Sequence, residues 1–126
     1  MATLLIIDDE KSIRKTLSEI LSFEGYKIEE AVDGEEGLNK FKEKTFDVVL
    51  CDIKMPKIDG LEFLQKAVEI NPDVPIIMIS GHASLAEAVH SVQLGATDFL
   101  EKPLDRDRVL VCVENALRQT ELQRVH

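Results

Sequence analysis

The chain has 126 residues, the size of one domain with room for one sizeable core. Its apolar content of 44% is that of an ordinary globular fold, which sets disorder aside. A formal net charge of −9 argues against direct contact with nucleic acid or an anionic membrane, and for a basic partner surface or a bound cation.

The start, Met1-Ala2-Thr3 and four aliphatics before Asp8, lacks the basic region of a secretion signal. No apolar run approaches the ~20 residues of a membrane span, so a cytoplasmic location is expected. Residues 3 to 7 read as a strand apolar on both faces. Ile13, Leu17, Ile20 and Leu21 then form one helical stripe, and Gly25 suits its stop. Lys27 to Val32 is a mixed, weaker strand, as expected near a sheet edge. Asp33 with Glu36 reads as a capping box opening a short helix, with Leu38 and Phe41 inward.

Phe46 to Cys51 reads as an apolar strand. Asp59 can cap a helix whose Leu61, Leu64 and Val68 face the core, and Asn71-Pro72 ends it. Pro75 to Ile79 is the next strand. Ser84 with Glu87 is a second capping box, with Leu85, Ala88, Val89 and Val92 as the stripe and Gly95 as the close. Thr97 to Leu100 is a short strand. Asp105 caps a last helix, about 105–122, with Val109, Cys112, Val113, Ala116 and Leu117 on one stripe. Leu110 and Val111 lie off it, which fits either a partner face or a broad core contact. Cys51 and Cys112 both sit in apolar patterns and read as buried, reduced thiols.

Five β/α pairs with doubly apolar strands imply a parallel sheet covered on both faces. Right-handed crossovers leave a doubly wound sheet or a fragment of a barrel, and this length favours the three-layer α/β/α sheet. Ligands of such sheets bind outside the carboxyl ends of the strands. At those ends stand Asp8, Asp9 and Glu10 after the first strand, Asp52 after the third, Ser80 after the fourth and Lys102-Pro103 after the fifth. Singly, each has a plain reading: Asp8-Asp9 as a helix cap, Asp52 as a turn residue before Met55-Pro56, Lys102 as a solvated lysine beside Glu101. Together at four strand ends they read as a site. Clustered carboxylates repel unless a cation neutralises them. Hard oxygen donors without His or Cys favour magnesium or manganese over zinc. A carboxylate beside such a cation can attack phosphorus and form an aspartyl phosphate, with Lys102 and the metal neutralising phosphoryl oxygens and Ser80 donating a hydrogen bond. The alternative is a cluster that only binds a metal.

These pieces resemble the receiver domain of two-component response regulators over essentially the full chain. The matching motifs are Ile7-Asp8-Asp9-Glu10, Cys51-Asp52-Ile53-Lys54-Met55-Pro56 with Asp59-Gly60, Ile79-Ser80-Gly81-His82, and Phe99-Leu100-Glu101-Lys102-Pro103-Leu104. The resemblance implies a flavodoxin-like (βα)5 fold with strand order 2-1-3-4-5 and a single receiver domain over 1–126. It makes Asp52 the phosphoacceptor, charged from the phosphohistidine of a sensor histidine kinase. It gives Mg2+ the ligands Asp9, Asp52 and the backbone carbonyl of Lys54, with Asp8 holding a metal-bound water. Lys102, joined to Pro103 by a cis peptide, would pair with the phosphoryl group. Ser80 and Phe99 would be the switch pair, and Lys54, Gly81 and His82 would flank the phosphate. His82 taken alone reads as a solvated loop residue. Phe99 stands where many members carry Tyr, so its switching would rest on packing.

The implied output is a remodelled face of the fourth helix, fifth strand and fifth helix, with a phosphorylation-dependent homodimer through it. Activity would be confined to self-phosphorylation and slow autodephosphorylation, so the domain is not read as an enzyme. Ser12-Ile13-Arg14, Ser80-Gly81-His82 and the run from Ala96 to Pro103 resemble the nitrogen-regulator class, whose receivers precede a sigma-54-interacting ATPase. In that class the last helix enters a linker of a longer regulator. A stand-alone phosphorelay shuttle is the alternative. A Mg2+-dependent phosphohydrolase fits less well, since Lys54 stands where such enzymes place a second acid. A flavin module would lack a phosphate loop, and Asp8-Asp9-Glu10 would repel its phosphate.

Overall fold

The computed structural model of the chain describes residues 2–81 and 85–125, with side chains as far as Thr120. Five strands alternate with five helices: β1 Thr3–Ile7, α1 Lys11–Phe23, β2 Lys27–Ala31, α2 Gly34–Glu43, β3 Val48–Asp52, α3 Gly60–Ile70, β4 Ile76–Ser80, α4 Leu85–Gln93, β5 Asp98–Glu101 and α5 Arg106–Val125. All strand pairs are parallel, in the order β2-β1-β3-β4-β5. The sheet is therefore the doubly wound, flavodoxin-like one, with polar β2 at one edge.

The two faces of each strand go to different cores. Leu5, Ile7, Val49, Cys51 and Met78 pack with Leu38 and Phe41 of α2 and Phe63, Leu64 and Ala67 of α3. Leu4, Ile6, Val48, Leu50 and Ile77 pack with Leu17 and Leu21 of α1 and Val109, Cys112, Val113 and Ala116 of α5. Burial on both sides is why β1, β3 and β4 carry unbroken aliphatic runs. Both cysteines are free and buried. No helix among the described residues is long and apolar enough to cross a membrane.

The expected caps form. Asp33 accepts from the Glu36 amide at 2.8 Å, Asp59 from the Glu62 amide at 2.9 Å and Asp105 from the Arg108 amide at 3.0 Å. Glu36 reaches back to the Val32 amide at 3.1 Å, one residue before the usual capping-box donor. Gly25 and Gly95 follow α1 and α4 with positive φ. The Ser84 cap lies outside the described residues.

Three expectations are corrected. β3 begins at Val48 and includes Asp52, because Asp47 turns its carboxylate to the Thr3 amide at 2.8 Å. β5 sits one residue later than its apolar pattern, at Asp98–Glu101. The apolar stripe of α4 faces outward: Leu85 is 81% exposed, Val89 47% and Val92 57%. The helix instead buries Ser91, whose hydroxyl donates to the Glu87 carbonyl at 2.9 Å. Leu94, just past the helix, packs on the α2–α3 core. Spacing fixes which side chains share a helix face, not which way that face turns. On α5, Leu110 joins the core while Val111 stays 48% exposed.

Candidate functional site

The carboxyl ends of β1, β3, β4 and β5 bring the expected residues together. Ile7 lies opposite Cys51, which sets Asp8 level with Asp52, and Ile79 lies opposite Asp52. Asp8, Asp52 and Ser80 are buried, whereas Asp9 is exposed. One carboxylate oxygen from each of Asp8, Asp9 and Asp52 falls within 4.8 Å of the others. Lys102, which a cis peptide joins to Pro103, extends from the end of β5 into this group. Its ammonium stands 3.4 Å from Asp8 Oδ2, 3.4 Å from Glu10 Oε1 and 3.5 Å from Asp52 Oδ2. Its backbone N–H donates to the Ser80 carbonyl at 2.8 Å, which ties the lysine to β4.

This crowding sets the charge states. Burial, reinforced by the charge of Asp8, pushes the Asp52 carboxyl up from 3.8 to about 6, against the pull of Lys102. Burial also raises Asp8, opposed by the Glu10 amide at 2.9 Å and by Lys102. Desolvation acts to lower Lys102, but Asp8, Asp52 and Glu10 outweigh it and hold the ammonium charged above its ordinary range. The group carries more carboxylates than its lysine can neutralise. Asp8 Oδ2 is buried, and among the described residues only the Lys102 ammonium, at 3.4 Å, approaches it. Such a set of hard oxygens, with a buried lone pair open, fits a small divalent cation.

Lys54 is exposed in the loop after β3. Gly81 is exposed, and a Cβ there would lie 3.5 Å from the Lys102 Cδ. His82 lies outside the described residues. Phe99 lies opposite Met78 on β5, half-buried, and lines an open hollow of about 350 Å3 together with Ala88, Val89 and Val92 of α4.

Two residues of the site have roles that their sequence patterns did not indicate. Glu10 holds Lys102; its only signal was its place in the acidic run. Arg14, one turn into α1, donates from Nη1 to the Asp8 carbonyl at 2.9 Å and from Nε to Glu30 Oε1 of β2 at 3.2 Å. No spacing rule announces a side chain that reaches back to a strand-end carbonyl.

Known proteins are similar to this chain in sequence and in fold. The pattern of the response regulator receiver domain matches residues 4–114. The transcriptional regulatory protein ZraR of Klebsiella oxytoca is 38% identical over 119 residues, covering 94% of this chain and 27% of that protein. The transcriptional regulatory protein GlrR of Escherichia coli K12 is 34% identical over 119 residues, 94% of this chain and 27% of its own length. The chain thus spans about a quarter of the length of these curated relatives. Among solved structures, a CheY-like receiver domain of Methanospirillum hungatei superposes with a TM-score of 0.94 at 36% identity, covering 98% of both chains. NtrX of Brucella abortus superposes with a TM-score of 0.93 at 36% identity, over 98% of this chain and 28% of that one. A receiver-domain pattern over residues 4–114, with relatives above 30% identity over more than nine-tenths of the chain, makes this chain a member of the response regulator receiver domain family.

Proposed function

We propose that this domain accepts a phosphoryl group on Asp52 from the phosphohistidine of a sensor histidine kinase, in a Mg2+-dependent reaction, and reports it through α4, β5 and α5. A buried carboxylate 3.5 Å from a lysine ammonium, in one cluster with two further aspartates, carries this function. Asp9, Asp52 and the Lys54 carbonyl would hold Mg2+ (Mn2+ is the other candidate) beside Asp8; bound there, it would neutralise phosphoryl oxygens as a Lewis acid. A carboxylate oxygen of Asp52 attacks phosphorus, the P–N bond breaks, and the departing imidazole nitrogen takes a proton. Lys102 pairs with the incoming phosphoryl charge. The Ser80 hydroxyl then donates to a phosphoryl oxygen, and Phe99 follows into the space beneath α4.

Phosphorylation adds about −1.5 to −2 units of charge to a cluster that is already anionic, enough to bias a two-state element. The exposed Leu85, Val89, Val92 and Val111 suit a homodimer through that face, with a balance set by phosphorylation. The length of the relatives supports a receiver whose last helix leads into the rest of a transcriptional regulator. The resemblance to the nitrogen-regulator class supports sigma-54-dependent transcription as the output.

A phosphoramidate donor with Mg2+ tests the chemistry. Mass spectrometry of the intact protein should show one added phosphoryl group, absent without the metal and absent from Asp52→Asn. Undiminished labelling of that variant would reassign the acceptor.

A further inference from the structure

We infer that Arg14 is a positioning residue for the cation site: it holds the Asp8–Asp9 peptide so that the Asp9 carboxylate faces the site. The inference rests on the proposed Mg2+ site at Asp8, Asp9 and Asp52. Asp8 is fixed at every polar atom that has a donor or acceptor in reach. Its N–H donates to the Ala31 carbonyl at 3.2 Å, and its Oδ1 accepts the Glu10 amide at 2.9 Å. Its carbonyl accepts Arg14 Nη1 at 2.9 Å.

Asp9 is the opposite case. It is exposed, and no hydrogen bond or ion pair of the described residues holds its carboxylate. Its direction is therefore set by its backbone, and the peptide joining it to Asp8 is planar. Whatever fixes the Asp8 carbonyl fixes the plane that carries the Asp9 N–H and Cα, and so the point from which the Asp9 side chain leaves. Arg14 is built for that task. Its side chain is only 14% exposed, and its planar fork is anchored at a second point by Glu30 of β2. Lys40 in turn donates to the Glu30 carbonyl at 2.6 Å, which steadies the anchor. Partners that orient metal ligands typically change affinity by about 10- to 100-fold when removed.

The sign of the effect separates positioning from simple charge. Arg14 is a cation near an anionic site, so by charge alone its removal should tighten binding of Mg2+. By positioning, removal should weaken it. The measurement is calorimetric titration of MgCl2 into the whole wild-type chain and into Arg14→Met, Arg14→Lys and Glu30→Gln. The expected result is Mg2+ affinity about tenfold weaker in Arg14→Met. Arg14→Lys, which keeps the charge but not the fork, should recover only part of the loss. Glu30→Gln, which leaves the Arg14–Asp8 contact in place, should lose the least.

With a phosphoramidate donor, the Mg2+ concentration for half-maximal rate should rise in Arg14→Met while the rate at saturating Mg2+ stays near wild type. Urea unfolding without metal identifies a merely structural role: lower stability with unchanged Mg2+ affinity of the folded protein overturns the inference. Equal or tighter Mg2+ binding by Arg14→Met does the same. A wild-type chain that takes up no Mg2+ at all overturns the cation site itself, and the role of Arg14 with it.

Discussion

Asp52 is held in a state that suits chemistry better than stability. A carboxyl pushed up to about 6 is one whose charged form the folded protein disfavours. Its native state binds a proton more tightly than its unfolded state does. The destabilisation is therefore fully present above pH 6, is relieved as pH falls through that value, and vanishes below the unfolded value of 3.8. Without metal, Asp52→Asn should be more stable than wild type at pH 7.5, by about 3 kcal/mol. That advantage should shrink as pH falls through 6 and vanish below 3.8. Urea unfolding of both proteins in a chelator across this range checks it; a constant difference at every pH would mean that Asp52 is not the titrating group. Added Mg2+ should reverse the order, since only the wild-type chain gains the full binding energy.

At the scale of elements, the loop from Lys54 to Asp59 keeps β3 and α3 in register around the acceptor, and Gly60 is where the fit is closest. A Cβ at Gly60 would overlap the Asp52 carbonyl oxygen and lie 2.6 Å from Ile53 Cα, both backbone atoms. The Gly60 amide also donates to the Ile53 carbonyl at 2.6 Å. Gly60→Ala should cost about 1–3 kcal/mol in urea unfolding and slow phosphorylation even at saturating Mg2+. Gly81→Ala, which meets only ordinary contact with Lys102, should do neither. The strand-end site was legible in the sequence because parallel strands turn sequence position into a common edge: once β1, β3, β4 and β5 were read from their apolar runs, Asp8, Asp9, Asp52, Ser80 and Lys102 followed. The orientation of α4 was not legible. Leu85, Val89 and Val92 have the spacing of a core stripe, and only the packing of Ser91 and Leu94 reveals that the stripe faces out. Arg14 was hidden for a related reason, since its partner is a backbone carbonyl, which leaves no trace in residue type.

For the molecule as a whole, the outward stripe of α4 and the exposed Val111 of α5 lie on a chain of net charge −9. Apolar burial would draw two such faces together while the net charge opposes them. The balance should therefore move toward the dimer as salt screens the repulsion. In the proposed switch Phe99 would link this face to the acceptor: it lines an open hollow with Ala88, Val89 and Val92 while its strand runs on to Lys102. Val89→Asp puts a carboxylate on that stripe, at a position that is 47% exposed and outside the phosphorylation site. Its cost in stability should stay within about 0.5 kcal/mol, and its phosphoryl stoichiometry should match wild type. Sedimentation velocity with and without the phosphoryl donor should show a changed monomer–dimer balance for wild type and the same monomer in both states for Val89→Asp. Equal shifts in the two proteins would move the dimer contact to another face. Loss of the shift with full phosphorylation would assign signal output to α4 and leave the chemistry at Asp52 untouched.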